Sequence, residues 1–234
     1  MKILALDTAT EVCSVALLLQ DHAADVTLLV RELPPGPGHS AHILSLVQTV
    51  LAEAAVALTD VDCIAFGRGP GGFTGVRLAA SVTQGLAYGA GLPVLPVSDL
   101  LAVAQQALDA GPTAGSVLVC NDARMREVYW TCATRGASGL AESAAPERVG
   151  PPDTVQLPLQ LARPIHGAGR GFALWPSLQQ RLGTDLVQIH AELLPRAREI
   201  ARLAVPQWQA GQGVTAEQAQ PVYLRDDVAK PSRK

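Results

Sequence analysis

The run Ile3-Leu4-Ala5-Leu6-Asp7-Thr8-Ala9-Thr10, continued by Val12 to Leu19, sets the start of the architecture. Lys2 to Leu6 reads as a short buried strand and Asp7 to Glu11 as a polar turn. Val12 to Leu19 resumes as a strand, so the pair is a hairpin. Working outward, Val26 to Val30 is a third strand. Pro34-Pro35-Gly36-Pro37-Gly38 cannot be regular structure. Ser40 is a natural N-cap for a helix reaching about Ala57, with apolar residues such as Ile43, Leu44, Val47 and Val50 at helical spacing. Val61 to Phe66 is a strand, Gly67 to Gly75 a glycine-rich loop, and a helix follows to about Gly89. Pro93 to Val97 is a strand, and Ser98 caps a helix ending near Gly111.

Three strands joined by short turns, then alternating strands and helices, describe a mixed sheet with helices packed on it. That order is similar to ribonuclease-H-like and actin-like domains. The second half carries fewer signals. Ser116 to Asn121 and Glu127 to Ala133 read as strands around Asp122-Ala123-Arg124. Residues 135–158, rich in Gly, Ala, Pro and Ser, read as a loop or insertion. Pro164 to His166 is a strand opening into Gly167-Ala168-Gly169-Arg170-Gly171. Helices are expected from Pro176 to Leu182 and from Pro195 to Ala204, then a short extended segment from Pro221 to Leu224. The expected division is a lobe at 1–110 and a smaller lobe at 111–234 holding the C-terminal helix and tail.

Composition narrows the function classes. The chain has 234 residues, 48% hydrophobic and 17% charged, which suits a packed core and not a disordered chain. Net charge is −3, and the only basic cluster is Lys230, Arg233 and Lys234. A chain that gripped RNA alone would carry a basic stripe. Cys13, Cys63, Cys120 and Cys132 lack metal spacing and read as buried reduced thiols. The start lacks the apolar core and cleavage site of a signal peptide, so the cytoplasm is expected. Residues 78–98 contain no Asp, Glu, Lys or Arg, yet Gln84, Gly85, Gly91, Pro93 and Pro96 argue against a membrane span.

Two segments invite a phosphate reading. Asp7 and Thr8, where a strand opens into a Thr-rich turn, suit Mg-phosphate; they equally suit a turn that closes a hairpin. In Gly67-Arg68-Gly69-Pro70-Gly71-Gly72-Phe73-Thr74-Gly75-Val76-Arg77, residues Gly69, Gly71, Gly72 and Thr74 could cradle phosphate at a helix start. The other reading is a tight turn with Thr74 as cap. The motif is neither a P-loop nor a dinucleotide fingerprint. Glycines this dense imply close backbone approach to a ligand or partner. His39 and His42 lack a third ligand, so no metal is expected, and His22, His166 and His190 are single and scattered. No carboxylate pair or activated nucleophile stands out. The helix 76–89 carries only Arg77 as a charge. Arg77, Ser81, Gln84, Gly85 and Tyr88 fall within about 100° by helical spacing. That face, with Ile43, Val47 and Val50 of the preceding helix, is the expected partner surface. The alternative is a helix covered by its own chain.

Ile3 to Thr10, Cys13-Ser14-Val15-Ala16-Leu17 and Gly69-Pro70-Gly71-Gly72-Phe73-Thr74-Gly75-Val76-Arg77 together closely resemble the TsaB family. Asp122-Ala123-Arg124, Gly167-Ala168-Gly169 and Pro221-Val222-Tyr223-Leu224-Arg225 fit as well. Gly72 stands where the family usually has Ser, and residues 135–160 match nothing placed. The resemblance implies an α/β actin-like ATPase (ribonuclease-H-like) fold of two lobes, each with a mixed sheet flanked by helices. It implies a non-catalytic subunit of the bacterial tRNA threonylcarbamoyladenosine system, a homodimer alone and a heterodimer with a TsaD-like catalytic subunit, joined by a TsaE-like ATPase. The tRNA would be held only through the complex, with no tightly bound cofactor and with room for a nucleotide at the complex interface. The catalytic relative has two metal-binding histidines at i, i+4; His39 and His42 stand at i, i+3, so no metal is carried over. The rival expectation is an active ATP-dependent kinase or carbamoyl transferase using Asp7, Thr8 and the 69–75 loop; a third is a scaffold unrelated to tRNA.

Overall fold

The structure, a computed structural model, describes residues 1–21, 25–34, 36, 38–111 and 115–225. His22 and the basic cluster at Lys230, Arg233 and Lys234 lie outside the described residues. The first sheet runs β3 (Val26–Leu33), β2 (Cys13–Gln20), β1 (Lys2–Asp7), β4 (Cys63–Gly67), β5 (Val94–Val97). β1 pairs antiparallel with β2, Leu4 opposite Leu17, and parallel with β4, Leu4 opposite Ile64. The second sheet runs β11 (Leu186–His190), β10 (Ile165–Ala168), β6 (Ser116–Asp122), β7 (Val128–Arg135), β8 (Ala141–Ser143), and β9 (Arg148–Gly150) also pairs with β7.

β1 is apolar throughout because both its faces are covered. Side chains alternate across a strand. Ile3 and Ala5 enter the core between the two sheets, while Leu4 and Leu6 enter an outer core under α1 (His39–Glu53) and α2 (Phe73–Ala90). The inner core holds α3 (Asp99–Ala110) and α6 (Ala197–Gln209). α6 lies on the first sheet and α3 on the second, and the two helices pack together. This departs from the division expected at residue 110: the first half of the chain supplies a helix to the second sheet, and the second half returns one to the first. Ser14 of β2 fixes the exchange, since its Oγ accepts the Ala197 N–H at the start of α6 (2.8 Å). α4 (Gly171–Leu174) and α5 (Pro176–Leu182) cover the outer face of the second sheet.

Several boundaries move. α1 begins at His39 and α2 at Phe73, with Gly38 and Gly72 at the N-caps and no side-chain cap at either. Ser40 and Thr74 therefore sit inside the first turns and do not cap; Gly38 (φ 99°) turns the chain into α1 earlier than Ser40 would. Ser98 does cap α3, accepting the Leu101 N–H at 3.2 Å. Residues 135–158 are not a free loop: they form β8 and β9. Glu147 within them bonds Ser98 and pairs with Arg68 (3.2 Å), tying the second sheet's edge to the first lobe. α6 continues through Pro206 to Gln209, five residues past the expected end at Ala204. β11 was missing from the sequence reading because only Leu186 and His190 of it are buried, which leaves no clean alternation.

Candidate functional site

The β1–β2 turn and the glycine loop close on each other. Thr8 Oγ1 donates to the Gly75 carbonyl (2.7 Å), and Gly72 N–H donates to the Ala9 carbonyl (2.7 Å). A Cβ on Gly75 would sit 2.0 Å from the Thr8 carbonyl oxygen, and one on Gly71 2.8 Å from that of Ala9. The close approach implied by the glycines is thus made to the chain's own backbone. Asp7 is fully buried beneath this contact and its Oδ1 accepts the Ala9 N–H (2.8 Å). Asp7 therefore closes the turn from inside.

Directly beside it lies Asp99, the first residue of α3 and also fully buried. Its Oδ2 accepts the Gly69 N–H, and the two carboxyls crowd the same point beside Gly67. Asp7 Oδ2 and Asp99 Oδ1 are buried without a hydrogen-bond donor, and two adjacent buried carboxyls cannot both ionise. Burial raises both pKa values, and the Asp7 charge raises that of Asp99 further, so the pair retains a proton well above the ordinary carboxylate range. The sequence reading, which found no carboxylate pair, missed this one. Asp99 follows a Ser cap and looks like an ordinary helix-start acid. Only the convergence of the end of β1 with the start of α3 reveals the pair.

Between the lobes lies a cleft of about 1050 Å³, walled by the β1–β2 turn, the starts of α1 and α2, the β6–β7 hairpin tip, Arg170 and residues 222–225. Glu11 and Arg170 bridge it at 2.8 Å. His39 Nε2 lies 3.2 Å from the Glu11 carbonyl, and among the described residues no group of three or more His, Cys, Asp or Glu is placed to hold a metal. His166 and His190, read as scattered, stack with ring centroids 5.9 Å apart, and burial lowers the pKa of His166.

On α2 the structure brings Ser81, Gly85 and Tyr88 to the surface, with Tyr88 75% exposed, while Val76, Ala79, Ala80, Thr83 and Ala87 are buried. Gln84 is engaged internally, donating to the Ala219 carbonyl (2.9 Å). Arg77 lies over the ring of Phe73 (3.2 Å) and near that of Tyr223 (5.0 Å). On α1 the expectation fails at the residue level. Ile43, Val47 and Val50 are buried against the chain's own sheet and cannot meet a partner. The large apolar side chain that α1 exposes is Leu44.

The chain is 41% identical over 231 residues to the tRNA threonylcarbamoyladenosine biosynthesis protein TsaB of Escherichia coli K12, covering 98% of this chain and 96% of that one. The chain belongs to the TsaB family. The Haemophilus influenzae TsaB is 35% identical over 97% of this chain and 95% of that one. Residues 36–231 match the family model described as TsaD: tRNA N6-adenosine threonylcarbamoyltransferase. Among solved structures, YeaZ from Pseudomonas aeruginosa superposes with a TM-score of 0.81 at 43% identity, covering 95% of this chain and 99% of that one. A Pseudomonas aeruginosa protein described as similar to the peptidase YeaZ gives 0.87 at 45%, covering 96% and 99%. The fold is the expected two-lobed actin-like one. In this TsaB-family chain all four cysteines are buried and free. Burial pushes Cys13 and Cys132 up to about 11 and Cys63 to about 12, and Cys120 higher still. All stay protonated at neutral pH, so none offers the thiolate of a cysteine peptidase. No helix among the described residues is long and apolar enough to cross a membrane.

Proposed function

We propose that this chain is a non-catalytic subunit of the assembly that places threonylcarbamoyl on the adenosine beside the anticodon of tRNAs reading A-starting codons. In that role it supports a TsaD-like catalytic subunit, with a TsaE-like ATPase joining them. One observation carries the non-catalytic part. The turn that would hold Mg-phosphate in an ATPase of this fold lines the cleft, but its two chemistry-bearing side chains are used by the chain itself: the Thr8 hydroxyl donates to Gly75, and Asp7 is fully buried beside Asp99. Turning either group to a nucleotide would break its internal contacts and strand a buried carboxylate. An active kinase or carbamoyl transferase would need these side chains free.

The partner surface in this reading is the exposed arc of α2 at Ser81, Gly85 and Tyr88, together with Leu44 of α1. The same surface serves self-association and the catalytic subunit. With a net charge of −3, the isolated chain holds tRNA weakly, and RNA is retained through the assembly. Co-purification of the native protein tests the reading, combined with ATP turnover by the pure chain. The expected result is capture of a TsaD-like subunit and no turnover. Steady hydrolysis abolished by Asp7→Ala would instead identify an enzyme.

A further inference from the structure

The last described residues, 219–225, belong to no helix or strand and run from one lobe to the other. Three holds fasten them to the first lobe. Gln84 of α2 donates to the Ala219 carbonyl (2.9 Å), Val222 N–H donates to the Arg68 carbonyl (2.7 Å), and the Tyr223 ring lies 5.0 Å from the Arg77 guanidinium. The far end is fastened to the second lobe. Arg225 donates to the Ala123 carbonyl (3.1 Å), pairs with Glu127 and reaches the Met125 sulfur (3.5 Å), all on the β6–β7 hairpin.

That hairpin turns through three consecutive non-glycine residues with positive φ: Arg124 (60°), Met125 (53°) and Arg126 (64°). Left-handed backbone is unfavourable for residues that carry a Cβ, and it persists where surrounding contacts fix it. The tip has three bonds of its own: Ala123 N–H to the Glu127 carbonyl (3.0 Å), Arg124 N–H to Asp122 Oδ1 (2.9 Å) and Glu127 N–H to the Arg124 carbonyl (2.9 Å). Arg225 adds a grip from outside the hairpin. Its guanidinium holds both ends of the tip, at Ala123 and Glu127, and the Arg225–Glu127 pair is partly buried, where a charged hydrogen bond is least screened.

We propose that residues 219–225 are a releasable clamp that couples α2 to the hairpin tip. Seated, the clamp keeps residues 124–126 left-handed and fixes the wall of the cleft that Ala123, Arg124, Met125 and residues 222–225 form together. Lifted, it lets the tip relax and that wall change shape. Release is local because the segment has no ladder of its own. Among the described residues from 220 to 225, Val222 alone donates a backbone N–H to another backbone group, and the other holds are side-chain contacts. The first hold belongs to α2, so a change at that helix reaches the opposite wall of the cleft without any group entering the cleft.

Limited trypsin digestion and amide exchange on the full chain test the clamp, with circular dichroism confirming that each variant is folded. Loop tips are preferred sites of nicking, and trypsin cuts after Arg124 or Arg126 only when the turn opens. Arg225→Ala is expected to speed cleavage there by about tenfold or more, and exchange at Ala123, Arg124 and Glu127 with it. Amides of β1 and β4 should keep their wild-type rates. Gln84→Ala combined with Val222→Pro frees the first-lobe end and leaves Arg225 and the tip unaltered in sequence; it should accelerate the same cleavage and exchange. Glu127→Gln weakens the grip from the hairpin side and takes the place of Arg225→Ala if that variant does not fold. Wild-type rates at the tip in Arg225→Ala, or in Glu127→Gln where it stands in, would show that the hairpin holds its own turn and would overturn the proposal. A tip loosened by Arg225→Ala but untouched by the first-lobe pair would reduce Arg225 to a local contact and overturn the coupling to α2.

Discussion

Asp7 and Asp99 show how a single proton can hold a fold together at one point. Both are fully buried, and Glu199 of α6 is nearly so, its pKa pushed up to about 7 by burial. Each of these acids binds its proton more tightly in the folded chain than in the unfolded one. The sign follows: stability is fully present below the ordinary carboxylate range, roughly pH 4, and declines as pH rises toward neutrality. The thermal midpoint is therefore expected to be higher at pH 5 than at pH 8. Asp99→Asn should flatten that slope, because an amide can donate to Asp7 and accept from Gly69 without a titrating proton. At pH 8 it should stabilise by on the order of 1–3 kcal/mol. Thermal unfolding of both proteins across pH 5 to 8 checks this, and an unchanged slope in the variant would remove the pair from the account. Asp7 was legible in the sequence as a special acid because it ends a buried strand. Asp99 was not, since nothing local separates a helix-start acid in water from one facing a second carboxyl.

At the scale of elements, two glycines on α2 have opposite meanings. Gly75 faces the Thr8 carbonyl so closely that any Cβ must displace backbone, whereas a Cβ on Gly85 meets nothing within 4 Å. Gly75→Ala is expected to destabilise by about 1–3 kcal/mol or more. Gly85→Ala should be neutral or stabilise by up to about 1 kcal/mol, as alanine replaces glycine in a helix interior. Denaturant unfolding of the two variants measures both. The same open space makes Gly85→Arg a clean probe of the partner face: the isolated chain can accommodate it, but a close helix contact with another chain cannot. A folded monomer on a sizing column that fails to capture the TsaD-like subunit is the expected outcome; an intact dimer that still captures it would move the interface elsewhere. The exposed arc at Ser81, Gly85 and Tyr88 was readable from spacing, because no charge follows Arg77 and polar residues share one side of the helix; that Gln84 bonds Ala219 and Arg77 lies against Phe73 and Tyr223 was not. The α1 prediction of Ile43, Val47 and Val50 failed for a related reason. Apolar residues over half a helix's circumference do not say which part meets the chain's own sheet, and here that sheet takes all three.

At the scale of the molecule, the order of strands and helices told of two sheets but not of the helix exchange between them. Sequence order places α3 with the first lobe and α6 with the second, and short connections usually keep neighbours together. The layers instead run first sheet, α6, α3, second sheet. Ile3, Ala5, Ala16 and Leu18 of the first sheet pack in the same core as Ile200, Ala201 and Ala204 of α6. A fragment ending at residue 110 would keep all five strands of its sheet but expose that inner face. It would also carry α3 without the strands α3 packs on. Such a fragment is expected not to fold, and the intact chain to unfold in one cooperative step, because neither sheet has a core of its own on the inner side. Circular dichroism and amide exchange on the 1–110 fragment decide the first point; dispersed, protected amides there would show that α6 is dispensable. Adding a peptide of residues 191–225 to the fragment decides the second half of the argument. It supplies α6 and the Ala197 N–H that Ser14 caps, so it should restore protection in β1 and β2 while leaving α3 unprotected for want of the second sheet.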